Sequence, residues 1–360
     1  MADPMPKKSI CLKIPKIDGE KTLAIANNLN LINKSLEIQR NTDSLYVPIV
    51  RKPTEKEKNL LKEQMPDLQV TIHLFPEKTR QAKNLAEVLE GKLPPPLLAC
   101  LPKALDVIGD IAIVEIPAEL EAHKKEIGAA ILATHKGVLT VMAKAGAVTG
   151  TYRLRSLDFI AGEHRTTTVH KEYGCSYYVD VAKAYFSPRL SHEHWRIASL
   201  IQNGETIVDL FAGVGPFAVL IAKKHRDAKL YALDINAEAV ELLKRNVRLN
   251  RVENRMHAIQ GDARQIVEEK LAGVADRVIM NLPESASEFI DVACKAVKPS
   301  GGTVHFYGFI KAPDTLETLK QRFTDAVDKA SRKVLAFSCA KTVRATAPYE
   351  WQAVLDAEVA

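Results

Sequence analysis

The segment Asp209-Leu210-Phe211-Ala212-Gly213-Val214-Gly215-Pro216-Phe217 joins an apolar run, TIVDL, to a second one, FAVLIAKK. That is the pattern of a strand, a tight turn and a helix. Gly213 and Gly215 let the chain turn sharply and bring main-chain N–H groups against a ligand without a Cβ in the way. Pro216 suits the first helical turn, where a missing N–H does no harm. A dinucleotide site would read G-x-G-x-x-G. Here the third small position is Ala218, and a GxG alone does not choose between ligands.

The neighbouring strand ends choose. Asp234 closes LYALD, 19 residues after Gly215 (234 − 215), where a carboxylate can accept both hydroxyls of a ribose. Asp262 closes IQGD, in reach of an adenine amino group. Asn281-Leu282-Pro283 follows RVIM at the fourth strand end, where ligands sit in such sheets. An Asn-x-Pro there is typical of methyltransferases that act on nitrogen, the amide orienting a planar NH-containing acceptor. Together these residues predict S-adenosylmethionine as cofactor, held by Asp209, Phe211, Gly213, Gly215, Asp234, Asp262 and Asn281, with Pro283 bordering the acceptor.

The elements that must position these groups follow from alternation along the chain. From about Trp195 onward, TIVDL, KLYALD, MHAIQGD and RVIMNLP alternate with helical segments such as 236–250. This predicts an α/β fold, a Rossmann-like class I methyltransferase domain with a doubly wound parallel sheet. The runs VLAFSCAKTVRA and YEWQAVLDAEV lack an obvious helix between them and imply an antiparallel finish. Ahead of this domain (195–360) the pattern predicts two smaller α+β domains, 1–80 and 81–194. In the first, CLKIP and VTIHLF read as strands, LAIANNLNLIN as a helix, and LEIQR with LYVPIV as a hairpin around 41–43. In the second, DVIGDIAIVEIP (106–117) reads as one strand and 119–134 as a helix, followed by β-rich runs with turns at Gly162 and Gly174.

Composition bounds the class. With 360 residues, 46% hydrophobic and 26% charged, the chain has material for a full core in more than one domain. The five cysteines are scattered with no CxxC pair, which argues against a disulfide framework or a zinc site. No apolar run reaches a membrane-spanning length and no secretory pattern follows MADPMPKKSI, so a cytoplasmic protein without a membrane partner is expected. The net charge is +6, of which residues 1–60 hold +4 (11 Lys/Arg − 7 Asp/Glu); a basic arm suits a polyanion, although a solvated surface would look the same.

DLFAGVGPF, ALDINAEAVELLKRNVRLN and RVIMNLP, preceded by VDVAKAYFSPRL, resemble the archaeal and eukaryotic tRNA (guanine-N1)-methyltransferase family, which modifies guanosine 37 beside the anticodon. DVIGDIAIVEIP and YRLRSLDFIAGEHRTTTVHKEYG extend the resemblance, dense from about Leu93 onward and looser over the N-terminal unit. Guanine N1 carries a proton at neutral pH and is a poor nucleophile. Methylation there needs a base for that proton and a cation or donor for the charge that develops on O6. The resemblance implies Glu193 as base, Arg153 as the O6 partner, Asn281 as the residue that orients guanine, and Tyr185 beside cofactor and base. It implies Arg189, in SPRL, as a support or phosphate ligand. Arg155 points to the same face of its strand as Arg153 and is a candidate phosphate neighbour.

On the residues alone Glu193 could equally be a carboxylate favoured in a first helical turn. His192 and His194 flank it, but positions two apart on a helix face apart, which argues against a metal centre. tRNA is the expected partner of a monomeric enzyme that flips the base out of its loop. The competing readings are an aminocarboxypropyl transferase of wybutosine-type synthesis, a bifunctional methyltransferase of the tricyclic intermediate, and an idle RNA-binding protein.

Overall fold

The computed structural model describes residues 6–77, 84–149 and 154–360, without the side chains of 147–149 and 155. The chain forms two compact units, Met1–Lys83 and Asn84–Ala360.

In the first unit, strands β1 (Lys7–Pro15), β2 (Gln39–Arg40), β3 (Ser44–Pro48) and β4 (Gln69–Phe75) form an antiparallel sheet in the order β2-β3-β1-β4. Helices α1 (Gly19–Asn28) and α2 (Glu55–Gln64) complete it. The core joins Leu12, Ile14 and Val47 of the sheet to Ala26, Leu61 and Met65. The expected helix over 23–33 starts earlier and stops at Asn28, because Asn30 takes a left-handed φ of 52° and turns the chain. Helix α2, which the sequence reading missed, starts at a capping box: Thr54 caps the Glu57 N–H and Glu57 returns to the Thr54 N–H.

The second unit opens with α3 (Leu85–Leu89) and α4 (Pro95–Ala99), then β5 (Leu105–Ile108), β6 (Ile111–Val114), α5 (Lys124–Thr134), β7 (Thr140–Thr149) and β8 (Leu154–Gly162). These strands form a sheet in the order β5-β6-β7-β8, with α5 carrying the chain between parallel β6 and β7. The single strand expected over 106–117 is a hairpin. Gly109 adopts φ 58°, and a Cβ there would lie 2.1 Å from Thr168 Oγ1, so only glycine lets the chain reverse at this place. Strands β9 (Thr167–Glu172) and β10 (Cys175–Asp180) form a separate hairpin through Tyr173 and Gly174, both with positive φ.

Helix α6 (Ser191–Leu200) leads into the large sheet, built from β11 (Thr206–Asp209), α7 (Pro216–Lys224), β12 (Lys229–Asp234), α8 (Ala237–Asn250), β13 (Met256–Gln260), α9 (Ala263–Ile266), β14 (Arg277–Met280), α10 (Ile290–Ala296), β15 (Gly302–Lys311), α11 (Leu316–Lys329), β16 (Val334–Ala347) and β17 (Glu350–Val359). The order β13-β12-β11-β14-β15-β17-β16 is parallel through β15, and β17 slots antiparallel between β15 and β16. The expected doubly wound sheet and its antiparallel finish are both present.

One face of the sheet packs Ile207, Ile279, Tyr307 and Val354 against Phe217, Leu243 and Ile197; the other packs Val208, Val278 and Leu355 against Ile290 and Phe323. The β9–β10 hairpin joins the first face through side chains that imitate a strand. Asn246 Oδ1 accepts from the Tyr178 N–H at 2.6 Å and its Nδ2 donates to the Tyr178 carbonyl at 3.1 Å. One helical turn on, Asn250 repeats the arrangement with Ser176.

Candidate active site

Four predicted cofactor positions lie at the C-terminal ends of adjacent parallel strands: Asp209 on β11, Asp234 on β12, Asp262 just beyond β13 and Asn281 just beyond β14. This is the crevice in which open α/β sheets bind ligands. The glycine turn closes it: Gly213 has φ 55° and its N–H donates to Asp234 Oδ2 at 2.7 Å, while Gly215 has φ 89° and caps α7. A Cβ on Gly213 would meet only the Tyr185 carbonyl at 3.6 Å, which places Tyr185 beside the turn. A Cβ on Gly215 would lie 2.3 Å from Leu243 Cδ1, so this glycine serves helix packing. Phe211 stands edge-on to Phe289, its N–H donating to Asp209 Oδ1 at 3.3 Å. Asp262 is exposed and caps the Arg264 N–H.

Asp209 is buried, and its Oδ2 has no hydrogen-bond partner. Burial pushes its carboxyl up to about 7 against the Phe211 N–H, and the Asp234 charge adds a smaller push. Burial likewise raises Asp234 above the usual carboxylate value, against the N–H groups of Asn236 and Gly213. An orphaned buried carboxylate oxygen beside the glycine turn is the complement of a ligand with a cationic group. The donor set therefore fits S-adenosylmethionine, which carries an ammonium, ribose hydroxyls and an adenine amine.

Glu193 sits in the first turn of α6 yet is buried, 3% exposed. Its Oε2 accepts from the Tyr307 hydroxyl at 2.9 Å and from Arg196 at 2.8 Å, and its Oε1 faces Lys341 Nζ at 2.8 Å. Burial raises its pKa, but Lys341, Arg196 and Tyr307 together outweigh that and hold it below the usual value. Arg196 also reaches Asp356 Oδ2 at 2.5 Å, and Asp356 Oδ1 lies 2.8 Å from His305 Nδ1. Burial acts against Asp356 ionising, yet His305 and Arg196 bring its carboxyl to about 2.

A second chain of contacts reaches Asn281. Arg344 Nε donates to Gln352 Oε1 at 2.9 Å, and Gln352 Nε2 donates to Asn281 Oδ1 at 3.3 Å. Arg344 Nη1 also reaches Ser187 Oγ at 3.4 Å, at the start of the SPRL segment that leads into α6. A bulge in β16 makes both chains possible. Lys341 pairs with Val354 and Arg344 with Gln352, with the register shift between Thr342 and Arg344. The extra residue brings Lys341 and Arg344, three apart, onto the same sheet face.

The remaining predicted residues are placed as follows. Arg189 pairs with Asp106 Oδ1 at 2.5 Å, tying SPRL to β5. Pro283 is half-buried in the loop after β14. Arg153 lies outside the described residues; the Arg155 backbone pairs with Val148 in β8. His192 is exposed, whereas His194 is buried 2.6 Å from Glu172 Oε1, and no cluster of three His, Cys, Asp or Glu suited to a metal stands among the described residues. No helix among them is long and apolar enough to cross a membrane. Lys341, Arg196, Tyr307, Asp356, Gln352 and Arg344 were not anticipated. One signal was there: Gln352 and Asp356, four apart and hence on one strand face, interrupt the otherwise apolar run WQAVLDA.

Residues 168–335 match the TRM5/TYW2 methyltransferase domain, 85–166 the TYW2 N-terminal domain and 11–57 the tRNA methyltransferase 5 N-terminal domain. The chain is 36% identical over 351 residues to the tRNA (guanine(37)-N(1))-methyltransferase Trm5b of Pyrococcus abyssi, covering 98% of this chain and 99% of the relative. It is 35% identical over 255 residues to the tRNA 4-demethylwyosine(37)-methyltransferase Taw21 of Saccharolobus solfataricus, covering 71% of this chain and 93% of that one. Among solved structures, the complex of aTrm5 and tRNALeu superposes with a TM-score of 0.72 at 34% identity, covering 99% of both chains. With the glycine turn, the carboxylates at the strand ends and Asn281 in place, this similarity along the whole chain makes the protein a member of the Trm5-type tRNA (guanine-N1)-methyltransferase family.

Proposed function

We propose that the protein methylates N1 of guanosine 37 in tRNA, with S-adenosylmethionine as methyl donor. The observation that carries this reading is the 36% identity, along 98% of the chain, to a relative named for that reaction. The geometry supports it. When bound, the cofactor supplies a methyl group on a sulfonium. The Gly213–Gly215 turn, Asp234 and Asp262 would hold its nucleoside and tail, and the Asp209 carboxylate would receive its ammonium.

Glu193 takes the N1 proton as the nitrogen attacks. Its Oε1 is the oxygen to do so, because Oε2 is committed to Tyr307 and Arg196, whereas Lys341 on Oε1 is 44% exposed and able to leave. Arg153 stabilises O6, Asn281 orients the ring, and positioning supplies much of the acceleration. Tyr185 borders base and cofactor, and Pro283 and Arg155 flank the substrate. The basic N-terminal unit engages tRNA phosphates.

The test is incubation with methyl-labelled cofactor and a tRNA bearing G37, then mass spectrometry of the nucleosides. 1-Methylguanosine is expected, and none from a tRNA with A37. A label in any other nucleoside overturns the reading. The likeness to Taw21 favours one second reading, methylation of a tricyclic guanosine at the same position. The same assay on a tRNA bearing 4-demethylwyosine separates the two.

A further inference from the structure

We infer that Arg344 and Gln352 are positioning residues that fix which end of the Asn281 amide faces the substrate, committing that amide to donate a hydrogen bond to a ring carbonyl. The inference rests on the guanosine reading above, in which the carbonyl is O6.

A guanidinium only donates, so Gln352 must present Oε1 to Arg344, at 2.9 Å. Gln352 is 1% exposed on β17 and cannot turn to water. With Oε1 taken, its Nε2 points the other way and donates to Asn281 Oδ1 at 3.3 Å. Asn281 in turn keeps Oδ1 toward Gln352 and leaves Nδ2, a donor, for the ligand. Two amides that could each be flipped at little cost are thus locked by one arginine. The bulge between Thr342 and Arg344 is what brings the guanidinium onto this face.

The polarity matters for the base. Guanine carries an acceptor at position 6 and adenine an amino donor. An N–H aimed at that atom favours guanine and leaves donor against donor for adenine. It also places positive charge where O6 becomes negative as N1 loses its proton.

The experiment compares single-turnover methylation of tRNA bearing guanosine or 6-thioguanosine at position 37, because sulfur is a weak acceptor. Gln352→Glu keeps the Arg344 contact, but both its oxygens accept, so Asn281 must turn Nδ2 toward it. Arg344→Met frees Gln352 to flip without placing a charge in the core, and carries the test alone if Gln352→Glu does not fold. The expected result is a rate on guanosine lower by roughly 10- to 100-fold. Preference for guanosine over 6-thioguanosine should shrink by about the same factor, with cofactor affinity within about twofold of wild type. Rates that fall equally on both substrates would mean a merely structural role and overturn the inference, as would unchanged rates. Wild-type enzyme that forms no 1-methylguanosine would overturn the guanosine reading itself, and this inference with it.

Discussion

Lys341 Nζ lies 2.8 Å from Glu193 Oε1, joining residues 148 positions apart (341 − 193) in one partly exposed ion pair. The proposed base is therefore held ionised by a lysine that can reach solvent. Glu193 has a depressed pKa, so it is charged well below neutrality and is lost as a base only as pH falls through that low value. Lys341→Met removes one of the groups that depress it. The acid limb of the single-turnover rate, measured at tRNA well below saturation so that it reports the free enzyme, should move to higher pH. Glu193→Gln should slow methylation by about 100-fold or more with cofactor affinity nearly intact. An acid limb that stays put in Lys341→Met would remove Glu193 from the proton-transfer step.

Asp209 works in the opposite sense. Its folded-state pKa is raised to about 7, so it favours the fold while protonated and that contribution is lost as pH rises through 7. Asp209→Asn should gain about 2–4 kcal/mol relative to wild type, in ligand-free protein, between pH 5 and pH 8. Cofactor binding, followed by calorimetry, should strengthen from pH 5.5 to 7.5 in wild type as the carboxylate ionises, and stay flat and weaker in the variant. Parallel pH profiles would show that the orphaned oxygen does not meet the ammonium.

Asp356 anchors the charges behind Glu193. It is 1% exposed and pairs with both Arg196 and His305. Asp356→Ala leaves the half-buried Arg196 with one carboxylate and His305 with none, and should cost about 3–5 kcal/mol in urea unfolding. The carboxyl, at about 2, contributes stability above its unfolded value, and this is lost as pH falls toward 2. The variant's deficit should therefore be full at pH 6 and shrink toward pH 2.

The two glycines of the turn should separate by role. Gly215→Ala meets Leu243 Cδ1 at 2.3 Å on a φ of 89°, and should destabilise the fold by about 2 kcal/mol or more. Gly213→Ala meets no atom nearer than 3.6 Å, and its φ of 55° lies where an alanine costs about 1–2 kcal/mol. Its larger effect should be on cofactor affinity, since the added methyl group takes up ligand space. Equal losses of stability and affinity in both variants would contradict this division.

The crevice was legible because its residues are local: each carboxylate ends a strand, and period and spacing reveal strand ends. The hairpin at Gly109 was not, because its requirement comes from Thr168, 59 residues away (168 − 109). Glu193 was recognisable as a first-turn carboxylate, but of its three partners only Arg196 is local, while Tyr307 and Lys341 lie on β15 and β16. Simple alternation sets Lys341 and Arg344 on opposite faces of their strand, and only the bulge makes them neighbours. Bulges leave no local signature when the residue they insert, here Val343, is an ordinary strand former.

Strand β17 is the latest strand in chain order, yet it lies inside the sheet, flanked on both sides. It carries Gln352, which holds Asn281, and Asp356, which holds Arg196 beside Glu193. On the ribosome, earlier segments emerge and begin to fold first. The side chains of Asp209, Asp234 and Asp262 at the cofactor crevice pair with main-chain groups of the segments that follow β11, β12 and β13, whereas the amide of Asn281 and the arginine beside Glu193 are held from β17. In chain order the acceptor side is thus the later of the two to receive its supports.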